Sequence, residues 1–297
     1  MGDFFDALFD EEPKTVSGLM ADSYGKAVRR RQFHHGMWFS PSMLARCRRV
    51  LYIRVRDQLT EVGVDSPELE FAADRGTAFH RMTQQRLGRL GVLFGGWRCS
   101  ECGHVHGIDP DDDALLGNGL RRKVTVRSAV PIPLVCDGCG ATTEQGQSFE
   151  YVEPTVYDES IRLAGRIDGI VFLNGQFIII DVKTVGVFER LWRPRAFPFD
   201  EHVFQVNLYM GLSGIRRAVI LYEARAEEEL SRFSFDAPLG FNQEMYDEQC
   251  SFVRRLAAIG TTEAKASDGV EAGTEVPCCQ YGGRRSWGPC ECSWLSC

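Results

Sequence analysis

Gly165-Arg-Ile-Asp168-Gly-Ile-Val-Phe-Leu-Asn174-Gly175-Gln-Phe-Ile-Ile-Ile-Asp181-Val-Lys183-Thr184 reads as two apolar β runs joined at Asn174-Gly175. Asn-Gly between such runs is the strongest short-range signal for a two-residue hairpin, because both central residues of that turn need positive φ. Leu173 then faces Gln176, and counting outward from the turn brings Asp168 opposite Asp181. Opposed side chains point to one face of the hairpin, about 5 Å apart at Cβ. Lys183, two residues beyond Asp181, shares that face. Two carboxylates so close repel each other, and a hard divalent cation such as Mg²⁺ or Mn²⁺ offsets the repulsion. The alternative is an Asp–Lys ion pair with the second Asp in a turn, a costly set of charges for an apolar hairpin.

Around this hairpin the chain alternates helical and β-rich segments. Ser40-Pro41-Ser42 marks a helix start, with apolar spacing over Met43–Gln58. Ser66-Pro67 starts a helix or pair of helices running to about Leu90. Phe149–Tyr157 and Ile161–Val185 are β-rich, Glu201–Leu212 and Asn242–Ile259 read as helices, and Ala218–Tyr222 as a strand. This order predicts an α/β (α+β) core rather than a long βαβ series. The expected division is an acidic then basic arm (1–39), a helical part (40–96), an insertion (97–141), the core (142–260), and a linker with a cysteine-rich end (261–297).

Eleven cysteines punctuate 297 residues. Cys99-x-x-Cys102 and Cys136-x-x-Cys139 are each followed by glycine, which permits the tight turn of a metal knuckle. Four thiolates in this pattern suit tetrahedral zinc, making the insertion a zinc ribbon. His104 and His106 beside the first knuckle read as surface residues, and Cys250 as a simple thiol in a helix. Cys278, Cys279, Cys290, Cys292 and Cys297 crowd the C-terminal end. They can hold zinc alone, or iron–sulfur with a cysteine from elsewhere.

The net charge of −7 argues against nonspecific coating of nucleic acid. Its distribution matters more: residues 26–56 carry nine Lys or Arg and no Asp or Glu, leaving the remainder at −16. Such a segment reads as a phosphate contact or as a solvated face. No apolar run approaches the ~18 residues of a membrane helix. The acidic Met-Gly-Asp-Phe-Phe-Asp opening is unlike a signal peptide, so the expectation is a soluble protein without membrane contact.

Asp168 followed by Asp181-Val-Lys183 resembles the PD-(D/E)XK nuclease core, and three further motifs resemble its RecB-like exonuclease branch. Gly76-Thr-Ala-Phe-His80 resembles the helical Gly-x-x-x-His whose histidine joins the metal shell. Gly165-x-x-Asp168 and Gln205-x-x-x-Tyr209 resemble two motifs flanking the Asp-x-Lys strand. Spacing supports the roles independently, since Gly76 and His80, and Gln205 and Tyr209, are each i and i+4 on one helix face. The resemblance implies a restriction-endonuclease-like core with flanking helices, acting as a metal-dependent DNA exonuclease or end-processing nuclease. Its Mg or Mn ligands would be His80, Asp168 and Asp181, with Lys183 catalytic; Glu153, on the preceding strand, is a further carboxylate candidate.

In the iron–sulfur branch, which includes the CRISPR-adaptation nucleases and the helicase–nuclease AddB, one upstream cysteine joins three near the C-terminus. Ser40-Pro-Ser-Met-Leu-Ala-Arg46-Cys47-Arg48-Arg49 resembles the upstream segment. The implied ligands of a 4Fe–4S cluster are Cys47, Cys279, Cys290 and Cys297, with Cys278 or Cys292 as substitutes. Gln205, Tyr209, Arg46, Arg48 and Arg49 would contact DNA, as linear duplexes or single-stranded ends, in a bacterial, archaeal or phage-infected cytoplasm. A helicase, recombination or replication protein is the expected partner. The competing expectation is a noncatalytic nucleic-acid-binding or assembly subunit using the metal sites as scaffolds; a complete set of Asp168, Asp181 and Lys183 weighs against it.

Overall fold

The computed structural model describes residues 28–34, 36–45, 47–64, 67–108, 124–142, 149–185, 198–224 and 234–259. The strands are β1 (Val28–Gln32), β2 (Thr60–Val64), β3 (Leu93–Cys99), β4 (Val105–His106), β5 (Val130–Pro131), β6 (Phe149–Val152), β7 (Thr155–Asp158), β8 (Leu163–Arg166), β9 (Gly169–Leu173), β10 (Gln176–Val185), β11 (Arg217–Ala224) and β12 (Ser234–Gly240). The helices are α1 (Pro41–Leu44), α2 (Arg48–Arg56), α3 (Pro67–Arg89), α4 (Asp200–Ser213) and α5 (Gln243–Ala258). Together they make a mixed α+β fold around one mixed sheet.

The hairpin forms the sheet's centre as its turn dictates. Asn174 and Gly175 both adopt positive φ (51° and 77°), and β9 and β10 pair from Gln176↔Leu173 to Ile180↔Gly169. The strand order is β12-β11-β10-β9-β3-β4, with β5 and β6 also pairing β3. Only β10 and β11 among these neighbours are parallel. A parallel pair needs a crossover of a dozen residues or more, and α4 occupies it. One sheet face, with Ile179 and Ile220, buries Val206, Tyr209 and Met210 of α4. The other, with Ile178 and Ile180, shares a cluster with Leu93 and Trp97 of β3 and Leu87 of α3.

Two expectations change in the structure. The helix expected over Met43–Gln58 is broken: α1 ends at Leu44, Ala45 caps it, and Cys47, out of helical geometry (φ −59°, ψ 120°), stands at the N-cap of α2. The break lets Met43 and Leu44, and then Leu51 and Val55, face one core shared with Phe252, Val253 and Leu256 of α5. The second change is β3, whose Gly95-Gly96 pair argues against a strand. A Cβ on Gly95 would strike the Tyr151 ring, and one on Gly96 would strike Val124. The glycines are there because neighbours from other segments lie directly on the strand. Since β3 pairs β9 and ends at Cys99, the first knuckle grows out of a strand of the central sheet.

Candidate functional site

The site forms where the sheet's pairing stops. Between β8 and β9 the chain leaves a two-stranded sheet with β7 and enters the main sheet, and Asp168 sits at that bend. The β9–β10 ladder ends at Ile180↔Gly169, so the next amide on β10 is free for a side chain: Val182 N donates to Asp168 Oδ2 at 2.8 Å. On the α3 side, His80 Nδ1 lies 3.5 Å from the same oxygen. Gly76, one turn earlier, lets α3 close on β10, since a Cβ there would stand 3.3 Å from Thr184 Oγ1.

Donor atoms of His80, Glu153 and Asp168 all lie within 4.8 Å of one another. An octahedral Mg²⁺ or Mn²⁺ with bonds of roughly 2.1 Å sets its ligand atoms about 3.0 Å apart when cis and about 4.2 Å apart when trans, so the three donors draw together to share one cation. Asp181 lies on the opposite side, on the β10 face that packs α4. It is 1% exposed, and Lys183 Nζ stands 3.1 Å from Oδ1 and 2.8 Å from Oδ2. Both carboxylate oxygens thus meet the ammonium, in an ion pair within the core. The mixed nitrogen and oxygen donors of His80, Glu153 and Asp168 fit a hard cation. The expected trio of His80, Asp168 and Asp181 is thus not the converging one: Glu153 takes the third position and Asp181 stands beside it.

The electrostatics follow from this crowding. Burial, and then the Asp181 charge, push the Asp168 carboxyl up to about 6, against the pull of Lys183, His80 and the Val182 amide. Burial works against the Lys183 ammonium, yet Asp181 and Asp168 outweigh it and hold its pKa above the ordinary value. Lys183 is therefore a cation and a hydrogen-bond donor at neutral pH. Behind it, burial and then the Lys183 charge press His202 down to about 3. Its neutral ring meets the Tyr222 hydroxyl at 2.8 Å.

Gln205 and Tyr209, expected at the site, are there. Gln205 Nε2 donates to Tyr209 Oη at 3.1 Å and to Asp181 Oδ1 at 3.4 Å, so it braces the carboxylate. Gly165 fits beneath Tyr209, where a Cβ would stand 2.8 Å from both that ring and Pro41. Gln84 was not anticipated. One turn after His80 and buried, it donates to Glu153 Oε1 at 3.2 Å and to the Asp168 carbonyl at 2.8 Å, tying α3 to both carboxylate segments. The i+4 spacing of Gly76, His80 and Gln84 was its available signal. Thr83 adds a buried 2.8 Å bond to Glu223 on β11.

Arg48 does not reach the site. It is 8% exposed, 2.7 Å from Glu248 on α5 and packed over the Phe252 ring, so its guanidinium is a core element and not a DNA contact. Arg49 is half-buried, and Cys47 is 3% exposed. Arg46, Cys278, Cys279, Cys290, Cys292 and Cys297 lie outside the described residues.

Cys99, Cys102, Cys136 and Cys139 form a second centre, their sulfurs within 4.8 Å of one another. The knuckles are copies: Gly103 N donates to Cys99 O and Gly140 N to Cys136 O, with φ of 74° and 73° at the glycines. The Cys99–Cys139 and Cys102–Cys136 sulfur pairs stand at 3.9 and 3.6 Å. A zinc tetrahedron with 2.3 Å bonds has edges of about 3.8 Å. Burial would raise the Cys136 thiol, but hydrogen bonds from His106 and the Cys139 and Gly138 amides bring it down to about 6. The Ala141 amide works to lower Cys139, yet the other thiols and burial push it up to about 12. Without a cation the four cannot all ionise. His106, expected at the surface, is buried on β4 with Nδ1 3.2 Å from Asp137, because its ring packs edge-on against Phe149.

No protein-family model matches the chain, and no curated protein sequence matches it. Among solved structures it is similar to SSO0001, at 11% identity and a TM-score of 0.37 over 83% of this chain and 87% of that one. It is also similar to an alkaline exonuclease, LHK-Exo, from Laribacter hongkongensis, at 16% identity and a TM-score of 0.31 over 39% of this chain and 61% of that one. The complex of LHK-Exo with dAMP aligns at 17% identity and a TM-score of 0.28, over 36% of this chain and 55% of that one. The chain therefore matches less than two thirds of that exonuclease. Alignments at this level carry no weight for the chemistry, which rests on the side chains above.

Proposed function

We propose that the chain is a divalent-cation-dependent deoxyribonuclease with a PD-(D/E)XK-type core, acting as an exonuclease or end-processing nuclease on linear DNA. The observation that carries this reading is the convergence of His80, Glu153 and Asp168 beside the buried Asp181–Lys183 pair. Mg²⁺ or Mn²⁺ bound there would supply Lewis-acid activation of the phosphoryl oxygen and of the attacking water. Asp181, ion-paired to Lys183, is a further carboxylate beside the set. Lys183, kept cationic by the two aspartates, donates to the attacking water or to charge developing on the phosphate. Gln84 and Gln205 fix the carboxylates, so little reorganisation accompanies the reaction.

The cysteine tetrad is proposed to hold structural zinc. Cys47 with three C-terminal cysteines is proposed to hold an iron–sulfur cluster; the sequence pattern supports that assignment. The decisive experiment follows linear DNA with Mg²⁺ or Mn²⁺ in the wild type and in His80→Ala, Glu153→Ala and Asp168→Ala. Each variant should lose about 10²-fold or more, the scale of removing one preorganised electrostatic group. A wild type that binds DNA without cutting it would make the chain a binding subunit. Variants that cut undiminished would place catalysis elsewhere.

A further inference from the structure

A cleft of about 890 Å³ opens from the candidate cation site and runs along α3 toward the cysteine knuckles. His80 and Glu153 stand at one end, and Ser100, the residue after Cys99, lines it farther along. One wall is a stripe on α3 at four-residue intervals: Thr77, Arg81, Gln85 and Arg89. The opposite wall comes from β3 and β6, including Arg98, Glu150 and Tyr151. On the far side of Glu153 and Arg166 a second groove of about 450 Å³ continues past Asp168 to Ser40, Ser42 and Tyr209. The cation site thus lies between two grooves that share two residues.

We propose that the α3 cleft holds the single DNA strand on the knuckle side of the scissile phosphate, with Arg81 and Arg89 gripping its phosphates. This assignment rests on the nuclease reading above and names where that substrate runs. Each acidic group in the cleft has a partner. Glu150 pairs with Arg98 at 3.5 Å, and Glu153 meets Gln84 at 3.2 Å and Arg166 at 3.6 Å. Arg81 and Arg89 are exposed and make no ion pair with a described residue, so they are the uncompensated charge of the cleft.

Four helical residues advance roughly 6 Å, comparable to the step between phosphates of an extended strand. The stripe therefore spaces Arg81, Gln85 and Arg89 to meet successive phosphates, Thr77 donating its hydroxyl to the Ala73 carbonyl instead. The volume is that of a pocket for a drug-sized ligand, roughly 300–1,000 Å³, room for a few nucleotides of one strand. The rings nearby are tied down: Tyr151 donates its hydroxyl to the Phe94 carbonyl, and Trp97 its indole N–H to the Val130 carbonyl. Recognition then falls on the backbone, and binding is indifferent to sequence and sensitive to salt. The knuckle strand gains a role in this arrangement, because the strand that ends on Cys99 is also a wall of the cleft.

The test is binding of the full chain to fluorescent oligo-dT by anisotropy, over a salt series in chelator, so that hydrolysis does not enter. Each phosphate contact to a single strand contributes about 0.7 to the slope of log K against log salt. Arg81→Gln/Arg89→Gln should therefore lower the slope by about 1.4, a salt sensitivity roughly sevenfold smaller between 50 and 200 mM. Arg255→Gln, on the exposed side of α5, should leave the slope at the wild-type value. A double variant with wild-type slope, folded by circular dichroism, overturns the assignment. A blunt duplex that displaces oligo-dT from the wild type but not from the double variant also overturns it, making the occupant double-stranded. If the double variant shows the predicted slope change yet the wild type cuts no DNA, the cleft assignment stands and the nuclease reading falls instead.

Discussion

Asp168→Asn separates the cost of the site from its chemistry. In the folded, cation-free chain, burial and the Asp181 charge raise Asp168 from an ordinary 3.8 to about 6. The ionised form is thus disfavoured in the native state. Stability is full while the group is protonated in both states and is lost as pH rises from about 4 to about 6. At 1.36 kcal/mol per unit, the shift costs about 3 kcal/mol above pH 6.5 and about half that at pH 5. The asparagine side chain would carry no charge, and its oxygen could still accept the 2.8 Å bond from Val182 N. The variant should therefore be more stable than wild type by up to about 3 kcal/mol at pH 7.5 in chelator, several degrees in melting temperature. The gain should halve near pH 5. Mg²⁺ or Mn²⁺ should stabilise the wild type and not the variant, closing the gap. Urea titrations at both pH values, with and without cation, measure each quantity. A variant of equal or lower stability in chelator, with no dependence on pH, would refute the reasoning.

Lys183→Ala strands the buried Asp181 charge and should cost about 3 kcal/mol or more in denaturant unfolding, while calorimetry still finds cation binding and DNA turnover is lost. Gly165→Ala drives a methyl to within 2.8 Å of Pro41 and the Tyr209 ring; a melt should show about 1–3 kcal/mol of destabilisation. The knuckles should retain one zinc per chain through dialysis, and Cys102 and Cys139, though exposed, should resist alkylation until a strong chelator is added. Anaerobically purified protein should be brown, and Cys47→Ser should bleach it; a colourless protein with a second zinc would assign the C-terminal cysteines to zinc.

Local chemistry was legible in the sequence wherever a few adjacent residues carried the constraint. Asn174-Gly175 determined the turn, and the turn determined the register through Ile180↔Gly169. The two Cys-x-x-Cys-Gly runs determined the knuckles, because each turn is closed by its own amide and glycine. Helical spacing placed Gly76 and His80, and Gln205 and Tyr209, on common faces. Tertiary structure decided what those pieces met. Glu153 replaced Asp181 among the converging donors because the ladder ends at Gly169, freeing Val182 N to turn Asp168 toward α3. Arg48 looked like a phosphate contact, and only the approach of α5 converted it into a buried partner of Glu248. Strand β3 was hidden because its glycines answer to Tyr151 and Val124, far along the chain. Periodicity records what a segment requires of itself; close approach, desolvation and the pairing of buried charge depend on segments distant in sequence, and exist only once the chain has folded.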